Sequence, residues 1–182
     1  MKTTRLLVLA LSILHVASIP AVAEESRWTF GTELDVLPFL SDGYSVSAVV
    51  GRGKFRGRLV RAELTTPDFA TDDDFRDDEL EVTALIVDGF LRSDQTGWWF
   101  GAGFERWDGE VTEKASGVTK EYRSVILTAG SGYVWRFGRH FTINPWVGVH
   151  TPVGGDRKVR FPLHDFEIGT TPEASLKLGL SF

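Results

Sequence analysis

Three histidines, His140, His150 and His164, are the residues here best suited to moving protons near neutral pH. A covalent mechanism would need a nucleophile within hydrogen-bond reach of one of them. Ser124 and Ser131 fall toward the opposite end of the neighbouring segment from His150, which is followed by Thr151-Pro152. His164-Asp165 with Glu167 gathers possible metal donors without a zinc-site spacing, and with no cysteine in the chain thiolate sites and disulfides are excluded. The densest acidic stretch is Asp72, Asp73 and Asp74, with Asp68, Asp77, Asp78 and Glu79 around it. Carboxylate oxygens suit Ca²⁺ or Mg²⁺. The glycine and closing glutamate of a calcium loop are absent, so a solvated acidic loop is expected and no metal is assigned. Gly51-Arg52-Gly53-Lys54-Phe55-Arg56-Gly57 matches neither glycine fingerprint for phosphate. It reads as a tight basic hairpin able to meet anionic lipid headgroups. No catalytic set and no cofactor site emerges.

The elements that must carry these residues are strands. No segment past the N-terminus keeps a 3.6-residue apolar period over a helical length. Alternation with period two recurs instead, bounded by Gly, Asp, Asn and Pro. It predicts eight strands, at 27–40, 44–52, 55–64, 80–91, 97–107, 121–136, 140–151 and 172–182. Connections at 53–54, 92–96 and 137–139 are short, and so is the first, at 41–43. Those at 65–79, 108–120 and 152–171 are long.

The N-terminus reads differently. Lys2 and Arg5 precede an apolar run that closes on Ala21-Val22-Ala23. This is the pattern of a secretory signal peptide over 1–23, leaving a single domain over 24–182. The formal charge of the whole chain is −5, and an acidic balance argues against nucleic acid as a partner.

One face of most strands is apolar, and the other is rich in Gly and Ser with occasional charges. That second face suits a narrow, filled barrel interior. Aromatics gather near strand ends: Trp28, Phe55, Trp98, Trp135, Phe141 and Phe182 at the short-turn rim, and Tyr44, Phe104, Trp107 and Tyr122 at the other. This is the form of interfacial girdles. The apolar face is therefore expected to point out into lipid. The interior is expected to hold a polar network of Glu33, Asp35, Arg61, Glu63, Glu81, Glu105, Arg136 and Lys177, with Lys177 near Glu33 and Arg61 near Glu81. Three charges strain the pattern: Asp88 falls among outward residues, and Arg56 and Arg58 point outward near the short-turn rim.

The last residues, Ala174-Ser175-Leu176-Lys177-Leu178-Gly179-Leu180-Ser181-Phe182, alternate to the final aromatic. Here the chain resembles the small eight-stranded outer-membrane barrels of the OmpA, OmpX and OmpW class. The resemblance implies an all-β fold, an eight-stranded antiparallel transmembrane β-barrel in the outer membrane of a diderm bacterium. It implies that Leu178, Leu180 and Phe182 form a signal read by the barrel assembly machinery, and that membrane lipid and lipopolysaccharide surround a monomer. It fixes no activity. The reading it favours is a structural or surface-interaction protein acting through its extracellular loops. The alternatives are a narrow channel or small apolar-ligand transport barrel, a lipid A-modifying enzyme, and a soluble periplasmic lipocalin-like barrel. The enzyme reading lacks the His-x-Ser-Asn pattern of the lipid A deacylases at His150.

Overall fold

The computed structural model describes residues 27–41, 43–65 and 73–182; the side chains at 40, 41 and 77 are outside the description. The expected signal peptide at 1–23 lies outside the described residues, as do Asp68 and Asp72 of the acidic run.

Eight strands close into one antiparallel barrel. They are β1 (Trp28–Asp35), β2 (Tyr44–Arg52), β3 (Phe55–Thr65), β4 (Phe75–Phe90), β5 (Gly97–Glu113), β6 (Thr119–Phe137), β7 (Phe141–Gly155) and β10 (Thr171–Ser181). Between the last two, β8 (Lys158–Arg160) and β9 (Asp165–Glu167) form a small separate hairpin. The barrel closes where β1 pairs with β10, from Gly31 opposite Ser181 to Asp35 opposite Lys177. Two bonds between Phe30 and Phe182 extend the seam, with N···O distances of 3.1 and 2.7 Å. Closure gives each of the eight barrel strands a paired neighbour on both sides.

The turns explain the hairpins. Gly53 and Gly138 take φ of 56° and 63°, a left-handed backbone that favours glycine, at the β2–β3 and β6–β7 connections. Gln95 takes φ of 56° without being glycine, and its side chain shows why below.

Several strand ends differ from the sequence pattern. β1 stops at Asp35, and a 3-10 helix spans Leu37–Ser41 where strand was expected to continue. β4, β5, β6 and β7 run well into the segments expected as loops, so residues 108–120 are mostly the end of one long hairpin. The two ends of the barrel are also built on opposite rules. Near the short turns the outer face is apolar and the inside is charged. Near the long hairpins the inside is apolar: Ala62, Phe75, Leu80, Val82, Ile126 and neighbours form one core, joined by Val159, Phe161 and Ile168 from the β8–β9 segment. There the outer face is polar.

That reversal corrects the facing of β3 and β4. Arg56, Arg58 and Asp88 point inward, at 7%, 1% and 0% exposure. Arg61, Glu63 and Glu81 are exposed on the outer face, not in the interior. Arg61 does pair with Glu81, at 2.6 Å, but outside the barrel. Tyr122 and Trp107 also leave the expected girdle. Tyr122 is buried in the upper core, and Trp107 is packed against it. Phe104 remains on the outer face, as do all six aromatics expected at the short-turn rim.

Candidate functional site

The interior has three layers. The lowest is an ionic plug. Arg58 Nη2 donates to Asp88 Oδ1 at 2.9 Å, and its Nε lies 2.8 Å from Oδ2. Arg56 bridges two carboxylates: Nε donates to Asp88 Oδ2 at 2.9 Å and Nη1 to Glu33 Oε1 at 2.8 Å. Glu33 also accepts from Asn144 Nδ2 at 3.4 Å, and Asn144 Oδ1 accepts from Trp99 Nε1 at 2.9 Å. Trp99 in turn lies 5.0 Å from the Arg58 guanidinium, ring centroid to Cζ. The planar fork of arginine suits such shared, stacked pairing. Two inward glycines make room for it: a Cβ on Gly132 would meet Trp99 Cζ2 at 2.8 Å, and one on Gly101 would collide with Asp88 Oδ1.

The β4–β5 turn closes this end from below. Gln95 reaches into the mouth, donating to the carbonyls of Gly53 and Phe55 at 3.1 and 3.2 Å and accepting from Thr29 Oγ1 at 2.9 Å. Three side-chain bonds hold a residue whose backbone conformation is otherwise unfavourable. Arg136 lies at the same mouth and donates to the Asp94 carbonyl at 2.8 Å. Hydrogen bonds from Arg92, and then Thr96, hold the Asp94 carboxyl down at about 2, so this turn keeps its charge at any ordinary pH.

Above the plug lies a cavity of ≈ 80 Å³. Val60, Ala62, Val82 and Ile86 line one wall; Asp35, Glu105, His150, Glu173 and Lys177 stand on the other. Lys177 is opposite Asp35 in the closing seam, and its ammonium sits 4.3 Å from the Trp146 ring. Asp35 accepts from Ser175 Oγ and the Leu37 N–H. His150 Nε2 lies 2.5 Å from Glu173 Oε2, and its Nδ1 lies 2.8 Å from Thr128 Oγ1. This has the connectivity of a nucleophile–base–acid triad, but the chemistry does not follow. The Thr128 hydroxyl donates to Glu105 Oε1 at 2.7 Å, so its proton is already directed away from His150. Trp107 Nε1 donates to the same carboxylate at 2.7 Å. The arrangement is a satisfied polar network. The Trp146 indole N–H is buried and has no partner among the described residues; the cavity has room for the few waters that would satisfy it.

The top layer is the apolar core under the β8–β9 hairpin. Phe75 packs against Phe161 and Phe166 with ring centroids 5.3 and 5.2 Å apart. Glu113 fastens the hairpin. Its Oε1 accepts from the backbone N–H groups of Leu163 and His164 at 3.2 and 2.7 Å, and its Oε2 from Ser116 Oγ. Burial works against its charge, but these bonds outweigh it and hold the carboxyl below its ordinary range. Nearby, the Tyr122 hydroxyl donates to Asp78 at 3.0 Å. Asp78 is thus buried rather than part of a solvated loop, while Asp73 and Asp74 are exposed at a turn.

Of the residues expected in the interior, Glu33, Asp35, Glu105 and Lys177 are buried there and Arg136 lies at its lower mouth. Arg61, Glu63 and Glu81 are outside. Arg56, Arg58 and Asp88 are the members that alternation placed wrongly. Their signal was present: two cations and one anion on three positions that share a face once β3 and β4 are paired, with Arg56 opposite Asp88. Leu178, Leu180 and Phe182 point outward. Among the described residues no group of three or more histidines and carboxylates is placed to hold a metal ion.

No protein-family model matches the chain, and neither does any curated protein. Among solved structures it is similar to the crystal structure of Neisserial surface protein A (NspA), at 11% identity and a TM-score of 0.43, over 85% of this chain and 93% of that one.

Proposed function

We propose that the chain is an outer-membrane β-barrel whose role is structural and surface-interacting, carried by the loop segments at 65–79, 108–120 and 152–171. The observation that supports this is the reversal of faces along the strands. In the lower half, Phe30, Phe55, Leu59, Val87, Phe100 and Val147 stand more than half exposed on the outside while guanidinium and carboxylate groups fill the inside. In water that arrangement loses the hydrophobic gain of folding and buries charge as well. In a bilayer, the outer face meets acyl chains, and a closed sheet lets the strands satisfy their backbone groups on one another rather than on water. The upper half has a water-facing polar exterior and its own apolar core, as a segment standing clear of the membrane requires. The N-terminal segment 1–23 serves as the export signal in this reading, and Leu178, Leu180 and Phe182 as the mark for assembly. The layered interior supports a closed, non-conducting barrel.

The test is gel mobility of the protein from isolated outer membranes, with and without boiling in SDS. A folded membrane barrel resists SDS until heated, so the two samples migrate differently. One band, with the protein in the soluble periplasmic fraction, would overturn the reading.

A further inference from the structure

We propose that the outer face of β2 and β3 at the short-turn rim is a binding site for an anionic glycerophospholipid. The proposal rests on the membrane reading above and adds a specific ligand to it. A groove of ≈ 640 Å³ opens there between Trp28 and Phe55. Its floor is apolar, from Val50 and Val87, with Gly57 between them: Gly57 is the register partner of both. Its lower lip, at the rim, is cationic, formed by Arg52 and Lys54. Arg52 is the cross-strand partner of Trp28, and its guanidinium lies 5.4 Å from that ring.

The glycines at this site differ from those inside the barrel. A Cβ on Gly101 or Gly132 would collide with Asp88 or Trp99. A Cβ on Gly57 would meet nothing nearer than 3.9 Å, and one on the neighbouring outward Gly89 nothing nearer than 3.8 Å. Glycine weakens a strand, and no packing in the protein calls for it here. What Gly57 leaves is an open notch between Val50 and Val87, an apolar seat for an acyl chain in this proposal. The cations sit where the phosphate of that lipid would lie, since juxtamembrane Lys and Arg attract anionic headgroups and arginine binds phosphate oxygens in pairs.

Charge selects the occupant. The short-turn rim carries Arg27, Arg52, Lys54, Arg92 and Arg139 among the described residues, and its acid Asp94 is paired with Arg92 at 2.9 Å. The outward charge near the long hairpins includes Glu63, Glu81 and Glu110, lining the groove there. The cationic rim therefore meets the phospholipid leaflet, and the ligand is a phospholipid of net negative charge rather than lipid A.

The full chain, in nanodiscs of equal phosphatidylglycerol and phosphatidylethanolamine, is released into native mass spectrometry and its retained lipids are identified. Wild type should keep phosphatidylglycerol in preference. Joint Arg52→Gln and Lys54→Gln substitution should reduce that preference on the order of tenfold. Gly57→Leu, which fills the notch without touching charge, should lower the number of lipids retained. Arg139→Gln, on another turn of the same rim, should change neither. Wild-type preference persisting in the double variant overturns the site, and so does an equal loss in Arg139→Gln. The gel shift on boiling is recorded for each preparation. A shift without a phosphatidylglycerol preference rejects the site and leaves the membrane barrel standing; no shift rejects both.

Discussion

Asp88 accepts from two guanidinium groups at once in a space closed to solvent. A buried ion group of this kind contributes little against an apolar alternative, but removing one partner leaves the rest uncompensated, at about 3–5 kcal/mol. Asp88→Asn keeps the shape and discards the charge, leaving Arg58 without a carboxylate. We expect roughly that loss in urea unfolding of the barrel in vesicles, and a smaller one for Lys177→Met, whose ammonium meets a ring rather than a carboxylate. A Lys177 loss equal to that of Asp88 would place the centre of the plug elsewhere. The same residues show what alternation can and cannot say. Glu33, Glu105 and Lys177 sit in strands whose apolar and small polar residues alternate cleanly, so their facing could be read. Arg56 and Arg58 share their face with Val60, Ala62 and Leu64, and Asp88 shares its face with Ile86 and Phe90. A pattern that assigns apolar residues outward sends all three charges out with them. Only the pairing of β3 with β4 reveals that they neutralise one another.

At the scale of elements, the strands outrun the part of the sequence that looks like strand. β4 begins at Phe75, within an acidic run that reads as loop, because Phe75 and Leu80 anchor it in the upper core while its polar residues face water. The three-residue strands β8 and β9 are too short for any periodic signal; they hold because Val159, Phe161 and Phe166 pack beneath them and Glu113 caps them. That cap is titratable. The Glu113 carboxyl is held below its ordinary value of 4.5, so its charged form is the one the folded hairpin favours. Its contribution is complete above that ordinary value and declines as pH falls through the lower folded one. Amide exchange, corrected for intrinsic rates, should thus show Leu163 and His164 protected at pH 7 and losing protection as the pH is lowered below 4.5, ahead of the barrel strands. Glu113→Gln should open the same two amides at pH 7 and flatten the dependence. If the hairpin opens only when the barrel does, the carboxylate is not what fastens it.

In the reading proposed above, the barrel sheet serves two solvents, and the boundary runs through its strands. On β4, Ala84, Leu85, Ile86 and Val87 are apolar on both faces, which is why a period-two reading loses the facing there. Below this stretch the inside is Asp88; above it the outside is Thr83 and Glu81. Lipid and water give opposite expectations for the same substitution on this outer face. A cation at the middle of a lipid-facing band costs about 2–4 kcal/mol and near the interface about 0–1. On a surface in water, either change stays within about 0.5 kcal/mol. Val87 is 55% exposed in the centre of the apolar band of β4, and Thr83 is exposed just above it. Val87→Arg should therefore destabilise the barrel in vesicles by about 2–4 kcal/mol, and Thr83→Arg by less than about 1. The contrast between two sites four residues apart on one face would locate the edge of the bilayer. Equal, negligible effects would mean that water bathes both, and the charged lower interior would then have to be explained in a soluble barrel. The layered interior adds its own consequence. With the plug and Gln95 below and the apolar core above, planar bilayers should show no current steps from the wild type. Removing the plug charges together, by Asp88→Ala, Arg56→Ala and Arg58→Ala, should still give none while the β8–β9 hairpin and its core remain in place. Steps in the triple variant alone would mean that the plug is the gate and the upper core is permeable.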